Sequence, residues 1–387
     1  MYRWKLLTIA IVAALTAHLL SAPAARAVPD FSFRAASDCA DACHNYLGEL
    51  PQIAANTRCS LSCLGCHVNP AGGGMRNAAG VRYAQRRVST DWVAADDALV
   101  PEAGKFIRFG ADLKVLSLDP DSRSEDEYRS FFVMESGAYL SIEPHRNLIL
   151  VLEHDLRNSF GQYYAMIKNL PLNMYLIAGR FLVPYGLKVN DHTAFIRKGL
   201  GFDINSQDEG LLVGLNPGRP YVNLAYTNGN RGSRGFDRND EKAVTGNLGY
   251  AHEWFHAGAS YYRDPTPGQE LTLLGGYGGV RAWKLSLLAE YDAIDADGGA
   301  AGIATLAQLN FFPIQGVNVM VQHELFDPDT DVDKDDHSRV SVGIQLFPMP
   351  FLELDARFRH ITDYGDIPSE PKKDSGNEFV FILHGFI

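Results

Sequence analysis

The stretch that decides the fold is LELDARFR, residues 352–359, in which every second side chain is apolar. The side chains between them are all charged: Glu353, Asp355, Arg357 and Arg359. Successive side chains of a β-strand point to opposite faces of the sheet, so this strand has one apolar face and one charged face. Because unpaired charges are costly to bury, we expect water on the charged face.

The same alternation with a period of two recurs through residues 105–387, for example in residues 106–115, 317–325 and 340–346. Between such stretches, short turn-like connections alternate with longer polar ones. The short connections are residues 143–146, 169–171, 216–219, 312–315 and 347–350. The long connections are residues 119–126, 183–207, 228–240, 292–299, 327–337 and 363–377.

This asymmetry is typical of outer-membrane β-barrels, which have short turns on one side and long loops on the other. We therefore predict an all-β fold, a transmembrane antiparallel β-barrel of about sixteen strands, preceded by a small, mostly helical or irregular segment. The predicted strands begin near residues 105, 127, 146, 160, 172, 208, 219, 241, 254, 269, 282, 300, 315, 337, 351 and 377. An even count places both barrel ends on the periplasmic side. A soluble β-sandwich or β-helix is the alternative, but the strands lack the large inward apolar residues of two packed sheets.

Composition excludes two other classes of protein. Hydrophobic residues make up 46% of the 387 residues, which is too few for a bundle of transmembrane helices. The formal net charge of −11 argues against a general nucleic-acid binder, because binding to phosphates requires a basic surface. We expect outer-membrane lipid as a contact and no nucleic acid.

The chain divides into four predicted parts. Residues 1–27 have the basic, apolar and Ala25-Arg26-Ala27 regions of a secretory signal peptide, with an uncleaved membrane anchor as the alternative. Residues 28–77 hold all five cysteines. Residues 78–104 are predicted to form a linker with a short helix, and residues 105–387 the barrel. Export takes the chain into an oxidising compartment.

The cysteine segment contains a C-x-x-C-H motif at Cys63, Cys66 and His67. This spacing lets two thiols bond covalently to one haem while the following imidazole binds the iron, so the motif predicts haem c with His67 as the proximal ligand. The glycines at 72–74 suit a backbone that passes close to a flat cofactor. The alternative is a disulfide-stapled helical hairpin built on the C-x3-C pairs at 39–43 and 59–63, which would leave Cys66 unpaired.

Several choices within this segment stay open. The candidate distal ligands are His44 and Met75, and an open sixth position is a third option. If haem occupies Cys63 and Cys66, then Cys59 can form a disulfide with Cys39 or Cys43. A second haem at Cys39, Cys43 and His44 is the competing use of those residues, since they form a C-x3-C-H variant.

The motif at 63–67, followed by Asn69-Pro70-x-Gly72-Gly73-Gly74-x-Arg76-Asn77, resembles a group of bacterial outer-membrane proteins with an N-terminal c-type haem segment. Residues 179–187, Asp191-His192-Thr193 and Arg197 resemble the barrel region of that group. The alternating C-terminal residues, which end in Phe386-Ile387, resemble the strand by which such barrels are recognised for assembly. The resemblance implies a porin-like barrel linked to periplasmic electron transfer.

Two of the long loops contain candidate functional residues. The connection at 183–207 follows the fifth predicted strand, where general porins have a loop that narrows the pore, and its charged side chains could set a field there. These side chains are Asp191, His192, Arg197 and Lys198. An external loop without a gating role is the alternative. The aspartates of loop 327–336 could chelate Ca²⁺, but a solvated acidic loop is favoured because the glycine and closing glutamate of an EF-hand are missing.

The functional hypotheses follow from these parts. The first is an outer-membrane electron-transfer protein with haem on the periplasmic side or in the barrel mouth, whose partners are periplasmic cytochromes or other electron carriers. The second is a solute porin in which the N-terminal segment is a structural plug. A haem enzyme such as a peroxidase would need a distal acid–base pair that the sequence does not show, so we predict no enzyme. A homo-oligomer is compatible with either hypothesis.

Overall fold

The computed structural model describes residues 67–70, 72, 74–90, 101–104, 106–120, 129–157, 161–229, 231–233, 237, 239–252, 254–266, 268, 270–296, 299–332, 335–363 and 375–387. The predicted signal peptide and all five cysteines, together with His44, lie outside these residues. Among the described residues, no helix has the length and apolarity needed to cross a membrane.

Sixteen long antiparallel strands form a closed barrel, which confirms the predicted fold class and strand count. A two-residue strand, β1 (Glu102–Ala103), pairs with the first of them. The long strands are β2 (Ile107–Pro120), β3 (Ser130–His145), β4 (Leu148–Asp155), β5 (Gly161–Leu170), β6 (Met174–Leu182), β7 (Gln207–Leu215), β8 (Pro220–Thr227), β9 (Ala243–Ala251), β10 (Phe255–Asp264), β11 (Leu271–Ala282), β12 (Leu285–Ala296), β13 (Ala301–Phe311), β14 (Val317–Asp327), β15 (His337–Met349), β16 (Leu352–Asp363) and β17 (Ser375–Phe386). Each begins within three residues of its predicted start.

Each strand pairs with its neighbours in sequence, and β17 pairs with β2 to close the ring, from Phe386 opposite Asp112 to Glu378 opposite Pro120. The described residues contain few helices: α1 (Ala78–Tyr83) continues into a π-helical turn (Ala84–Val88), a 3-10 turn covers Pro171–Asn173, and α2 (Phe195–Lys198) lies in the loop after β6. Short turns and long connections alternate around the ring, so the long connections share one end. The first and last long strands both have their terminal ends at the short-turn end.

The outer face is apolar, as the alternation predicts. Along β12 the side chains of Leu285, Leu287 and Tyr291 are exposed, whereas Glu290 and Asp292 face the lumen and are buried. An exposed apolar belt of this kind suits the hydrocarbon of a bilayer, and closure of the ring leaves no unpaired strand edge in it.

The inner face differs from the expectation of water. Glu353, Asp355, Arg357 and Arg359 all point inward as predicted, but each is no more than 4% exposed. Other parts of the chain fill the lumen at this level and supply partners for these charges. The expectation of a wet charged face is therefore corrected: the face is polar and buried, and its charges are neutralised by ion pairs rather than by solvent.

Candidate functional site

The segment immediately after the predicted haem motif lies inside the barrel. His67 forms an isolated antiparallel bridge with Arg76, and the backbone N–H of Val68 donates to the carbonyl of Met75 at 3.0 Å. The resulting small hairpin contacts the barrel wall, because Asn69 Nδ2 donates to Gln162 Oε1 at 2.8 Å. The described residues of this hairpin, 67–70, 72 and 74–76, thus pack against the inner wall of β4 and β5.

The following helical residues rest on the short-turn end of the barrel. Thr90 donates its N–H to Phe347 at 2.8 Å and its hydroxyl to the Pro348 carbonyl at 2.9 Å. Ala84 and Val88 bury their side chains against Phe347 and Phe386. The described residues 67–70, 72 and 74–90 therefore extend from the short-turn end into the lumen and form an internal plug.

His67 lines a cavity of about 270 Å³ inside the barrel. That volume approaches the ~300–1,000 Å³ of typical small-molecule sites. Its walls combine the N-terminal segment with β2, β3, β4, β16, β17 and the loop after β6. The wall is chemically mixed, with apolar groups at the plug and ionisable groups on the strands.

The residues present fit the haem that the motif implies. The imidazole of His67 lies at the cavity surface beside Gly72 and Gly74, and three cations, Arg76, Lys114 and Lys188, line the same cavity. Arg76 lies 3.6 Å from Asp112 and Lys114 2.6 Å from Glu135, so the carboxylates of a haem would share these two cations with protein carboxylates. Gly74 has a φ of +57°, and a Cβ placed on it would lie 2.5 Å from Glu153 Oε1. A side chain at position 74 would have to adopt the left-handed backbone and displace the Glu153 carboxylate, so glycine suits this tight backbone passage at the cavity.

Met75, the other described candidate ligand, does not line the cavity. Its side chain is buried in an apolar cluster with Val68, Tyr139 and Tyr164, and it is not among the residues that line the His67 cavity. Its backbone N–H donates to Glu153 Oε1 at 3.3 Å. Cys63 and Cys66, the other candidate ligand His44 and the candidate disulfide residues Cys39, Cys43 and Cys59 lie outside the described residues, so those predictions stay predictions.

The connection between β6 and β7 also lies inside the barrel, where it contacts strands on the far wall. The hydroxyl of Tyr185 donates to Asp292 Oδ1 at 2.8 Å, and the N–H of Leu187 donates to Glu290 Oε2 at 2.7 Å. Further along, the N–H of Phe195 donates to Glu324 Oε1 at 2.9 Å. Burial, reinforced by the Asp292 carboxylate, raises the pKa of Tyr185, so its hydroxyl remains a donor. We call residues 183–206 the inner loop.

Asp191 of the inner loop is bound by arginines of the opposite wall. Its Oδ2 accepts from Arg357 and Arg359 at 2.8 Å each, and an Arg339 nitrogen lies 4.0 Å away. Its Oδ1 accepts from the N–H and hydroxyl of Thr193 at 2.9 and 2.7 Å. Burial by itself raises the pKa of Asp191, but the three guanidinium groups outweigh it and hold the pKa well below its usual range.

His192 faces a second cluster, on β2 and β3. Its Nε2 lies 2.9 Å from Lys114 Nζ and 3.1 Å from Glu135 Oε2, and Lys114 donates to Glu135 at 2.6 Å. Burial and the Lys114 ammonium lower the pKa of His192, and the opposing effect of Glu135 is smaller. Lys114 Nζ can only donate, so a neutral His192 accepts from it through Nε2.

This geometry predicts that acid weakens inner-loop docking through His192. Because the folded protein lowers the pKa of His192, the unfolded chain binds more protons below about pH 6.5, and stability falls as the pH falls. Relative to His192→Gln, the wild type should lose up to ~1.4 kcal/mol of unfolding free energy per pH unit between pH 6.5 and the lowered pKa. The measurement is urea unfolding in detergent micelles at pH 7 and pH 5. His360→Gln, at an exposed position of β16, is the control; equal pH dependence in all three proteins would refute the role of His192.

The other two predicted loop residues lie apart from these clusters. Arg197 is buried in α2, and burial lowers its pKa to about 10 although the carboxylates of Glu290 and Asp203 oppose the shift. Lys198 is exposed beside it. The four residues predicted to face a pore are therefore divided: Asp191 and His192 contact the β2, β3 and β16 wall, and Arg197 lies near Glu290 of β12.

The alternation placed Arg357 and Arg359 on a charged strand face, but it did not pair them with Asp191, and it did not single out Arg339. Arg339, Arg357 and Arg359 sit at inward positions of β15 and β16, and Arg339 also donates to Glu324 Oε2 at 2.7 Å. The available signal was charge at every second residue of predicted strands, which indicates an inward position but not a partner.

The acidic loop at 327–336 has local contacts. The N–H groups of Asp329 and Asp331 donate to the carboxylates two residues earlier, each at 3.2 Å. Over the residues that the structure describes, no group of three or more His, Cys, Asp or Glu side chains could hold a metal ion.

Comparison with known proteins finds solved structures with a similar fold. No protein-family model and no curated protein matches the chain. OmpT of Vibrio cholerae is 12% identical and has a TM-score of 0.56 over 75% of this chain and 100% of that chain. The anion-selective porin of Comamonas acidovorans is 8% identical, with a TM-score of 0.53 over 73% and 99%. OprB of Pseudomonas putida is 9% identical, with a TM-score of 0.56 over 73% and 94%.

At identities this low, the structural similarity establishes the fold alone. The fold is that of an outer-membrane β-barrel protein of the porin type. Together with the apolar outer belt, this places the chain in the outer membrane, in contact with lipid.

Proposed function

We propose that this outer-membrane barrel carries haem c and takes part in electron transfer between periplasmic carriers and the outer membrane. Haem would be attached at Cys63 and Cys66, with His67 as its proximal ligand. The observation that carries the proposal is that His67, the last residue of the C-x-x-C-H motif, lines a cavity inside the barrel. When bound, haem c supplies one-electron redox chemistry.

The chain's own residues would hold and shield this group. The His67–Arg76 bridge orients the backbone that carries the proximal imidazole. Ala84, Val88, Phe347 and Phe386 form an apolar cluster at the short-turn side of the cavity, which limits the access of water. The haem segment would accordingly lie in the periplasmic mouth of the barrel and reach into its lumen, rather than in a separate periplasmic module.

We favour His44 over Met75 as the distal ligand of the haem iron. Met75 would have to leave its buried apolar cluster to reach the cavity that His67 lines. Replacement of a methionine by a histidine ligand lowers the reduction potential, so the choice affects which carriers can react. A single haem does not span the bilayer, and the proposal therefore requires a partner such as a periplasmic cytochrome.

The test is covalent haem staining after denaturing electrophoresis of protein produced in a host that matures c-type cytochromes. We expect staining of the wild type and its complete loss in Cys66→Ala. Cys43→Ala is the matched control: it should retain staining and the absorption spectrum if Cys43 belongs to a disulfide, and lose part of both if a second haem is attached there. An unstained wild type in outer-membrane fractions would refute the proposal and favour the disulfide-stapled plug.

A solute porin is the second candidate, supported by the charged inner loop and by the porins among the structural relatives. Against it, described residues between 67 and 90 and the inner loop occupy part of the lumen, and three of the cavities between them measure about 270, 70 and 10 Å³. Conductance in planar bilayers distinguishes the two: a porin should conduct and respond to Arg197→Ala or Lys198→Ala.

One structure of the Vibrio cholerae protein is a trimer form, 12% identical with a TM-score of 0.53. We propose that this chain also forms a homo-oligomer, which cross-linking would test.

A further inference from the structure

We propose that the lumen contains an anion-binding site in which Arg197 of the inner loop binds the oxygens of a small carboxylate or phosphate. The site lies in the cavity that Arg197 shares with His67, on the side formed by the inner loop. The inference goes beyond the proposed function, because none of its steps involves haem.

Arg197 differs from the other arginines that the described part of the barrel buries. It is 6% exposed and lines the cavity, and within the described part of the chain its guanidinium has neither a hydrogen bond nor an ion pair. The other four buried arginines donate to oxygens of the protein. These are Arg180, which donates to the Ser233 carbonyl, and Arg339, Arg357 and Arg359, which donate to carboxylates. Arg197 is thus the buried cation whose donors face open space.

The nearest carboxylates do not neutralise this guanidinium. Glu290 and Asp203 attract it, but each accepts from a backbone N–H instead: Glu290 Oε2 from Leu187 and Asp203 Oδ1 from Asn205, both at 2.7 Å. Burial therefore outweighs their attraction and lowers the pKa of Arg197 to about 10. A buried cation without a partner is costly, and an anion bound beside it would remove that cost.

The two sides of the cavity differ in charge. On the inner-loop side, the charged residues that line the cavity are the cations Lys188 and Arg197 and the carboxylate Asp203. The remaining carboxylates that line it belong to the strand wall, and each already accepts a hydrogen bond from a protein side chain. They are Asp112, Glu135, Glu153, Asp155 and Glu353. An anion is therefore expected on the inner-loop side.

The backbone of α2 holds Arg197 in position before a ligand arrives. Its N–H donates to the Ala194 carbonyl at 2.8 Å, and its carbonyl accepts from the N–H of Phe202 at 2.7 Å. The N–H of Phe195 donates to Glu324 Oε1 on β14 at 2.9 Å, which anchors the helix to the wall. A binding group that is already fixed loses less conformational entropy when the ligand binds.

The chemistry of the guanidinium defines the class of ligand. It presents N–H donors in a rigid fork that can bind two oxygens of one carboxylate or phosphate at once. The cavity volume of about 270 Å³ suits a small anion rather than a polymer. A free anion and a carboxylate of a bound haem offer the same oxygens, and the experiment separates these two sources.

The test is isothermal titration calorimetry of the purified full-length protein in detergent, with inorganic phosphate and with acetate, at an ionic strength kept constant with sodium chloride. Loss of the charged donor should weaken phosphate binding at least about tenfold in Arg197→Gln. Lys198→Gln removes the same charge from the exposed neighbouring position of α2 and is the matched control, so its affinity should change less than about twofold. Equal affinities of Arg197→Gln and the wild type would overturn the inference.

The Cys63→Ala, Cys66→Ala double variant, which cannot attach haem at these cysteines, separates the two sources of the anion. Phosphate binding to both the wild type and the double variant identifies a free anion as the ligand. Binding to the double variant alone identifies a haem carboxylate as the group that occupies Arg197 in the wild type. Both results support the site, and the first does so even if the wild type contains no haem. If neither protein binds phosphate or acetate saturably, the site does not exist.

Urea unfolding tests the unpaired state of Arg197 without any ligand. An apolar side chain of similar length removes the cost of the buried charge, so Arg197→Met should unfold at the same or a higher urea concentration than the wild type in phosphate-free buffer. Added phosphate should raise the midpoint of the wild type and leave that of Arg197→Met unchanged. A clearly lower midpoint of Arg197→Met would show that the guanidinium has a structural partner, contrary to the inference. Should Arg197→Gln not fold, Arg197→Lys replaces it in the titration and should bind phosphate about threefold more weakly or worse, because an ammonium group lacks the fork.

Discussion

Replacing Asp191 by alanine is expected to lower the unfolding free energy of the barrel by about 3–5 kcal/mol, the usual cost of leaving buried charges unpaired. The carboxylate holds Arg357 and Arg359 at 2.8 Å each, and both guanidinium groups are buried. Their other partners, Asp355 and Glu378, remain in place, so the repulsion among the arginines is reduced but not removed. We expect the inner loop to leave the wall and single-channel conductance in planar bilayers to increase.

Two further variants make this prediction specific. Asp191→Asn retains an acceptor for Thr193 but removes the charge, so it should lose most of the stability that Asp191→Ala loses. Asp331→Ala, in an exposed connection, is the control and should be within ~0.5 kcal/mol of the wild type. The pH dependence has a defined sign: because the pKa of Asp191 is lowered, its contribution is present above the usual aspartate range near ~4 and is lost as the pH falls through the lowered pKa. An Asp191→Ala barrel as stable and as closed as the wild type would show that the ion pairs do not retain the loop.

Gly186→Ala should have the second large effect, because the inner loop turns toward β12 at this residue. Gly186 has a φ of +56°, and its N–H donates to Ser260 Oγ at 2.9 Å. A Cβ here would collide with the carboxylate of Glu290, the group that also accepts from the N–H of Leu187. Left-handed backbone costs a non-glycine residue about 1–2 kcal/mol and overpacking about 1–3 kcal/mol, so a loss of about 2–5 kcal/mol in urea unfolding is expected.

Gly268 offers a matched control for the cost of placing a non-glycine residue in the left-handed backbone conformation. It has a φ of +77°, but no atom of the described residues lies within 4 Å of the position a Cβ would take. Gly268→Ala should therefore show the conformational cost without the collision. If the two variants lose the same stability, contact with Glu290 does not contribute, and the inner loop is not held at β12 as the structure indicates.

The sixteen strands and their inward and outward faces could be predicted from the sequence because both are local properties. The bilayer requires apolar side chains on one face of every strand, and a closed ring pairs each strand with its neighbours in sequence. The charged residues at 353–359 therefore revealed their inward orientation. The clustering of all cysteines before residue 67 likewise separated a candidate haem segment from the barrel.

Which side chains meet inside the barrel was decided only by the tertiary structure. Asp191 and Arg357 are separated by 166 residues, and Asp112 and His384 by 272. Many inward carboxylates and arginines satisfy the same alternating pattern, so pattern alone does not select among them. Selection depends on how far the inner loop and residues 67–76 reach into the lumen, and burial there converts charges expected in water into paired charges. The sequence determined the wall of this barrel, and long-range packing determined what fills it.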